Sequence, residues 1–94
     1  MLDIRTEPND TIVLSGRFDA SQVEKARAFF VEISETRTLD FAELDYISSA
    51  GLGILLATQK KLSESGHALR LVNVNPHVRD VFHFSGFDRI FQIE

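Results

Sequence analysis

A weak two-residue alternation from Leu2 to Thr6 opens the chain and predicts a strand. Pro8-Asn9-Asp10 carries turn chemistry, because Pro presets φ and Asn or Asp tolerates a tight corner. The run Thr11-Ile12-Val13-Leu14 predicts a second strand, and so short a connection favours an antiparallel hairpin. The period then changes. Val23, Ala26, Phe30 and Ile33 recur at helical spacing, and Phe29 widens the stripe. Ser21 stands three before Glu24, the spacing of a capping box, so a helix over about 21–34 is expected. Arg37 to Phe41 offers a third strand with Leu39 and Phe41 on one face.

The second half repeats this logic. Glu43 to Ile47 leads into Ser48-Ser49-Ala50-Gly51-Leu52-Gly53. Leu52, Leu55, Leu56 and Leu62 then form a helical stripe, closed by Glu64-Ser65-Gly66. Ala68 to Val74 is nearly all apolar and reads as a buried strand. Asn75-Pro76 begins another helix, with Asn as cap, Val78, Val81 and Phe82 inside, and Ser85-Gly86 at its end. Arg89 to Ile93 is a last short strand. The order β-β-α-β-α-β-α-β predicts a small single-domain α/β sandwich, a mixed β-sheet packed with helices.

Composition narrows the function. At 94 residues the chain forms one domain, 1–94, with little room for a deep walled cleft. The absence of cysteine excludes disulfides, thiolate zinc sites, Fe–S clusters and thiol catalysis. Net charge is −4, and ten of the 14 acids fall in residues 1–47. No basic patch is present, so nucleic-acid binding is disfavoured. The acidic half suits either a basic protein partner or a solvated face. No apolar run reaches membrane-spanning length, and Met1-Leu2-Asp3-Ile4-Arg5 lacks a signal-peptide layout, so no membrane insertion and a cytoplasmic location are expected.

Candidate chemistry concentrates at Ile47 to Gly53. Two hydroxyls precede a predicted helix whose first turn holds two glycines. A serine here is either a helix cap or an exposed phosphate acceptor, at a helix end that tolerates anions. The segment has no Gly-Lys-Ser/Thr of a P-loop and no nucleophile elbow. His67, His77 and His83 have neither i, i+4 spacing nor cysteine companions, so no metal site is expected. No general-base pair, nucleotide loop or cofactor motif is present, and an enzyme is not expected.

Leu44-Asp45-Tyr46-Ile47-Ser48-Ser49-Ala50-Gly51-Leu52-Gly53-Ile54-Leu55-Leu56 resembles the signature of the anti-sigma factor antagonist (STAS) domains. Gly16-Arg17-Phe18-Asp19 resembles that family's Gly-x-hydrophobic-Asp turn, and Val81 to Phe91 its closing helix, turn and strand. The resemblance covers nearly the whole chain. It implies a bacterial partner switch in signal transduction and transcription regulation. The unphosphorylated antagonist binds an anti-sigma factor, itself a serine kinase of the GHKL type. Phosphorylation of the serine two before the first glycine, here Ser49, releases it, and a PP2C-type phosphatase restores binding. The docking face so implied comprises Asp19, Ser48, Ser49, Gly51 and Leu52. Many members carry an acid directly before the serine. Here that position is Ser48, so Ser48 is a second candidate acceptor.

The missing acid leaves an alternative open: a non-switching accessory subunit of an ABC-type lipid transporter. Genomic neighbours separate the two, kinase and phosphatase genes for the first and transporter genes for the second. The phenylalanines read as core, with Phe29, Phe30, Phe82 and Phe84 on or beside the helical stripes and Phe18 and Phe87 in turns. Lys60-Lys61 would complement the end of the signature helix. Asp45 reads as a structural loop acid rather than a docking one.

Overall fold

The computed structural model describes residues 1–94. β1 (Leu2–Thr6) and β2 (Ile12–Phe18) form the expected antiparallel hairpin. Its turn closes through Asp10 N–H to Glu7 O at 2.9 Å. Then follow α1 (Val23–Phe30), β3 (Arg37–Ile47), α2 (Ser49–Ser63), β4 (Leu69–Val72), α3 (Pro76–Phe84) and β5 (Gln92–Ile93). The sheet order is β1-β2-β3-β4-β5, and every pairing after the hairpin is parallel.

Right-handed crossovers that always step in one direction put their helices on one face. One core accordingly joins Ile12, Leu14, Leu39, Phe41, Leu69 and Leu71 of the sheet with Ala26, Phe30, Leu55, Leu62, Val78 and Phe82 of the helices. The opposite face of the sheet is mostly polar, and Arg5 pairs there with Glu43 at 2.9 Å. The mixed α/β sandwich and its element order follow the expected plan.

Four details differ from the sequence reading, each for a local reason. First, α1 is shorter than 21–34, and the Ser21–Glu24 capping box does not form. Asp19 accepts instead from the Ser21 amide at 3.1 Å and the Ser21 hydroxyl at 2.5 Å, closing a 3-10 turn over Ala20–Gln22. A carboxylate is the stronger acceptor, and Glu24 turns outward to Arg27 at 2.8 Å. Second, β3 runs to Ile47, so Asp45 is an exposed strand residue, while Asp40 makes the Asx-type bond, accepting from Ala42 N–H at 2.9 Å.

Third, the last strand shrinks to Gln92–Ile93, and Phe87–Arg89 forms a 3-10 turn. Phe91 is buried there, edge-on to Phe82 with centroids 5.4 Å apart. Fourth, Phe84 is 84% exposed. Two residues past Phe82 is roughly 200° around a helix, so Phe82 points inward and Phe84 outward. Asn75 caps α3 as expected, accepting from Val78 N–H at 2.8 Å, with Pro76 at the first helical position.

Candidate functional site at the ends of two parallel strands

β2 and β3 end side by side, with Arg17 opposite Tyr46 and Phe18 opposite Ile47. The ladder extends one bond further, from Ser48 N–H to Phe18 O at 2.9 Å. The chain then leaves both strands in adjacent turns, through Asp19 from β2 and through Ser48 from β3. Carboxyl ends of neighbouring parallel strands are where α/β sheets place binding sites.

The two serines have different roles. Ser48 has extended backbone, φ −87° and ψ 169°, and is the N-cap of α2. Its Oγ accepts from Gly51 N–H at 3.1 Å, and its carbonyl accepts from Leu52 N–H at 2.9 Å. Ser49 is the first helical residue, exposed, and its hydroxyl has no hydrogen-bond partner within the chain. One hydroxyl is thus used as the helix cap, and the other is left exposed and unpaired. Ser48→Ala is expected to cost about 1 kcal/mol in urea unfolding through loss of the cap, and Ser49→Ala less than about 0.5 kcal/mol.

Gly51 and Leu52 lie beneath the surface rather than on it. Leu52 is buried in the core. A Cβ on Gly51 would stand 3.0 Å from the Phe18 ring and from Ile47 Cγ1. Gly51 thus lets α2 settle on the end of β2. The glycine that leaves open surface is Gly53, which has nothing within 4 Å of its Cβ position. Asp19 is half-buried, in the turn beside this helix start.

The hydrogen bond from the Ser21 side chain, with that from its amide, holds the Asp19 carboxyl below the usual carboxylate range. A lowered folded-state pKa contributes stability that is present above the unfolded value, near pH 4, and is lost as pH falls through the folded one. The Arg5 guanidinium lowers Glu43, and His83 lowers Asp88, in the same sense. Acid unfolding followed by circular dichroism should therefore show stability falling below about pH 4, with a shallower slope in Asp19→Asn.

Two features of this surface were not anticipated from sequence. Arg17 stacks over the Tyr46 ring at 4.3 Å, placing a cation at the strand ends. An open groove of about 460 Å³ also runs between α1 and α2, starting at Ala50. Its signal in the sequence was the row of small residues Ala50, Gly53 and Ala57 at helical spacing. No group of three or more His, Asp or Glu side chains is placed to hold a metal, and no helix is long and apolar enough to cross a membrane.

Residues 2–93 match a family model described as "Mlab, STAS domain". Over 76 residues the chain is 45% identical to a protein of Bordetella bronchiseptica described as a candidate anti-sigma factor antagonist, BtrV. That alignment covers 80% of this chain and 66% of the relative, so the match spans just under two thirds of that relative's length. Among solved structures, the anti-sigma factor antagonist SpoIIAA in its unphosphorylated form superposes with a TM-score of 0.76 at 26% identity, covering 100% of this chain and 88% of that one. The phosphorylated form of the Bacillus cell fate determinant SpoIIAA superposes with a TM-score of 0.70 at 25% identity, covering 100% and 91%.

Proposed function

The chain belongs to the STAS-domain family, and from that premise we propose that it is an anti-sigma factor antagonist switched by phosphorylation of Ser49. The observation that carries this reading is the exposed, unbonded Ser49 hydroxyl beside a Ser48 hydroxyl already used as a cap. A kinase can reach Ser49 Oγ without unfolding the helix start. The Ser48 hydroxyl, the second candidate, is already engaged as the acceptor of Gly51 N–H.

In the unphosphorylated state the adjacent turns present Asp19, Ser48 and Ser49 to an anti-sigma factor. Gly51 and Leu52 act from below, fixing where the helix start lies. The anti-sigma factor is a serine kinase of the GHKL type. It moves the γ-phosphoryl of ATP to Ser49 Oγ, ADP leaves, and the hydroxyl proton passes to a base of the kinase. The phosphate brings roughly 1.5 to 2 negative charges to a docking contact. The first amide groups of α2 tolerate that charge, so the domain stays folded while the partner is expelled. A PP2C-type phosphatase resets the switch by hydrolysis. That a relative has been solved both with and without phosphate supports this reading. The domain itself is a regulatory surface, and its partners carry the catalysis.

Incubation with the cognate kinase and ATP, followed by mass spectrometry, should place one phosphate on Ser49. It should be retained in Ser48→Ala and absent in Ser49→Ala. The phosphorylated chain should bind the anti-sigma factor roughly a hundredfold more weakly, or worse. Ser49→Asp should follow it, and Ser49→Ala should bind constitutively. A chain that stays unphosphorylated at Ser49, or equal binding by Ser49→Ala and Ser49→Asp, would overturn the proposal.

A further inference from the structure

The groove between α1 and α2 is a second surface, running away from the two turns. Phe30 and Val31 line it from one side, and Ala50, Gly53, Ile54 and Ala57 from the other. Val31 is 62% exposed there. Every exposed or half-exposed residue that the first two turns of α2 contribute to it is small. Side chains of that size let another helix approach to the 8–10 Å or so at which helices pack.

The charge of the groove is opposite to that of the molecule. Its charged lining consists of Arg27 and Lys61, with no acid, in a chain of 14 acids and 10 bases. Glu24 stands off the lining and holds Arg27 at 2.8 Å. Lys61 donates to Val31 O at 3.0 Å, which keeps its ammonium at the foot of the groove. The head of the groove begins at Ala50, the residue after Ser49.

We infer that this groove seats an amphipathic helix of the anti-sigma factor, its apolar face between α1 and α2 and a carboxylate directed at Lys61. The inference rests on the antagonist reading and adds a contact to it. Apolar anchors one helical turn apart would fill the wall, and the acid would fix direction and register. The distance from Ala50 to Lys61 along α2 is roughly 16 Å, more than a Debye length at physiological salt. A phosphate on Ser49 therefore acts at the head of the groove and leaves the Lys61 contact to contribute independently.

The test uses the full chain and the anti-sigma factor that its unphosphorylated form binds. Ala57→Glu puts a charge into the apolar wall at an exposed, helix-compatible position. It should weaken binding on the order of tenfold. Lys61→Glu should weaken it several-fold at low salt, by a factor that shrinks as salt rises. Ser65→Glu, exposed and off the groove, should bind like the parent. Thermal melts establish that each variant is folded. A photo-crosslinker at Val31 should capture an acidic amphipathic helix of the anti-sigma factor. The effect of Lys61→Glu should multiply with that of Ser49 phosphorylation.

Binding of Ala57→Glu and Lys61→Glu within about twofold of the parent would overturn the groove assignment and leave the Ser49 switch standing. Cross-linking of Val31 to a second copy of the chain would overturn it too. Groove effects that persist where Ser49 phosphorylation changes nothing would fail the switch and keep the groove.

Discussion

Gly16→Ala is expected to cost at least about 3 kcal/mol, lowering the melting temperature by roughly 12 °C or more. Gly16 has φ +90°, in the region L side chains avoid. An alanine Cβ would stand 2.1 Å from the Met1 carbonyl oxygen. That oxygen cannot simply retreat, because it accepts the Arg17 N–H at 3.0 Å, and Leu2 is paired with Gly16 across the hairpin. Relief therefore means opening the end of β1 or distorting β2 one residue before Arg17. Gly53→Ala is the control. It lies in the helix with open space around it, so alanine should gain about 0.5–1 kcal/mol there. Urea unfolding of both variants reads the contrast. A Gly16→Ala transition within about 1 kcal/mol of the parent would mean that the approach of Met1 is not a constraint.

What the sequence made legible, and what it left hidden, divides along the range of the interactions. The hairpin turn, the Asn75 cap and the αL residues Gly66 and Gly86 at the ends of helices are set by neighbours in the chain. Their residue types announced them. β3 was harder because its partner changes its phase. Two register shifts against β2, between Val13 and Ser15 and between Gly16 and Arg17, each add a residue on the β3 side. The inward positions are thus Leu39, Phe41, Leu44 and Ile47, a sequence of steps that no strict alternation reveals. This is why the strand looked finished at Phe41.

The site shows the same division. Either serine of Ser48-Ser49 reads as a cap or as an acceptor, and which hydroxyl is taken up by the cap depends on where the backbone turns helical. Ser48 turns out to be extended and Ser49 helical, so only Ser49 keeps a free hydroxyl. Gly51 and Leu52 were readable as special residues but not as buried ones, since the core that covers them is built from distant segments, with Phe18 reaching Gly51 from 33 residues away in the chain. The groove needed two helices side by side before its charge inversion became visible.

The same distant contact makes Phe18→Ala the substitution that should join stability to function, at a cost of about 3–5 kcal/mol. Phe18 is fully buried at the last position of β2. Its ring supports Gly51 in the first turn of α2, and its carbonyl accepts the Ser48 N–H at 2.9 Å. Removing the ring leaves a void below the helix start that Ile47 alone cannot fill. Phe18→Leu, which keeps most of the volume, should recover well over half of the loss. The diagnostic is binding measured under conditions where both variants are folded. If the ring only fills space, anti-sigma factor affinity per folded molecule stays at the parent value. If the ring positions Ser49, Phe18→Ala binds more weakly and is phosphorylated more slowly while Phe18→Leu approaches the parent. The placement of Gly51 directly on this ring leads us to expect the second result.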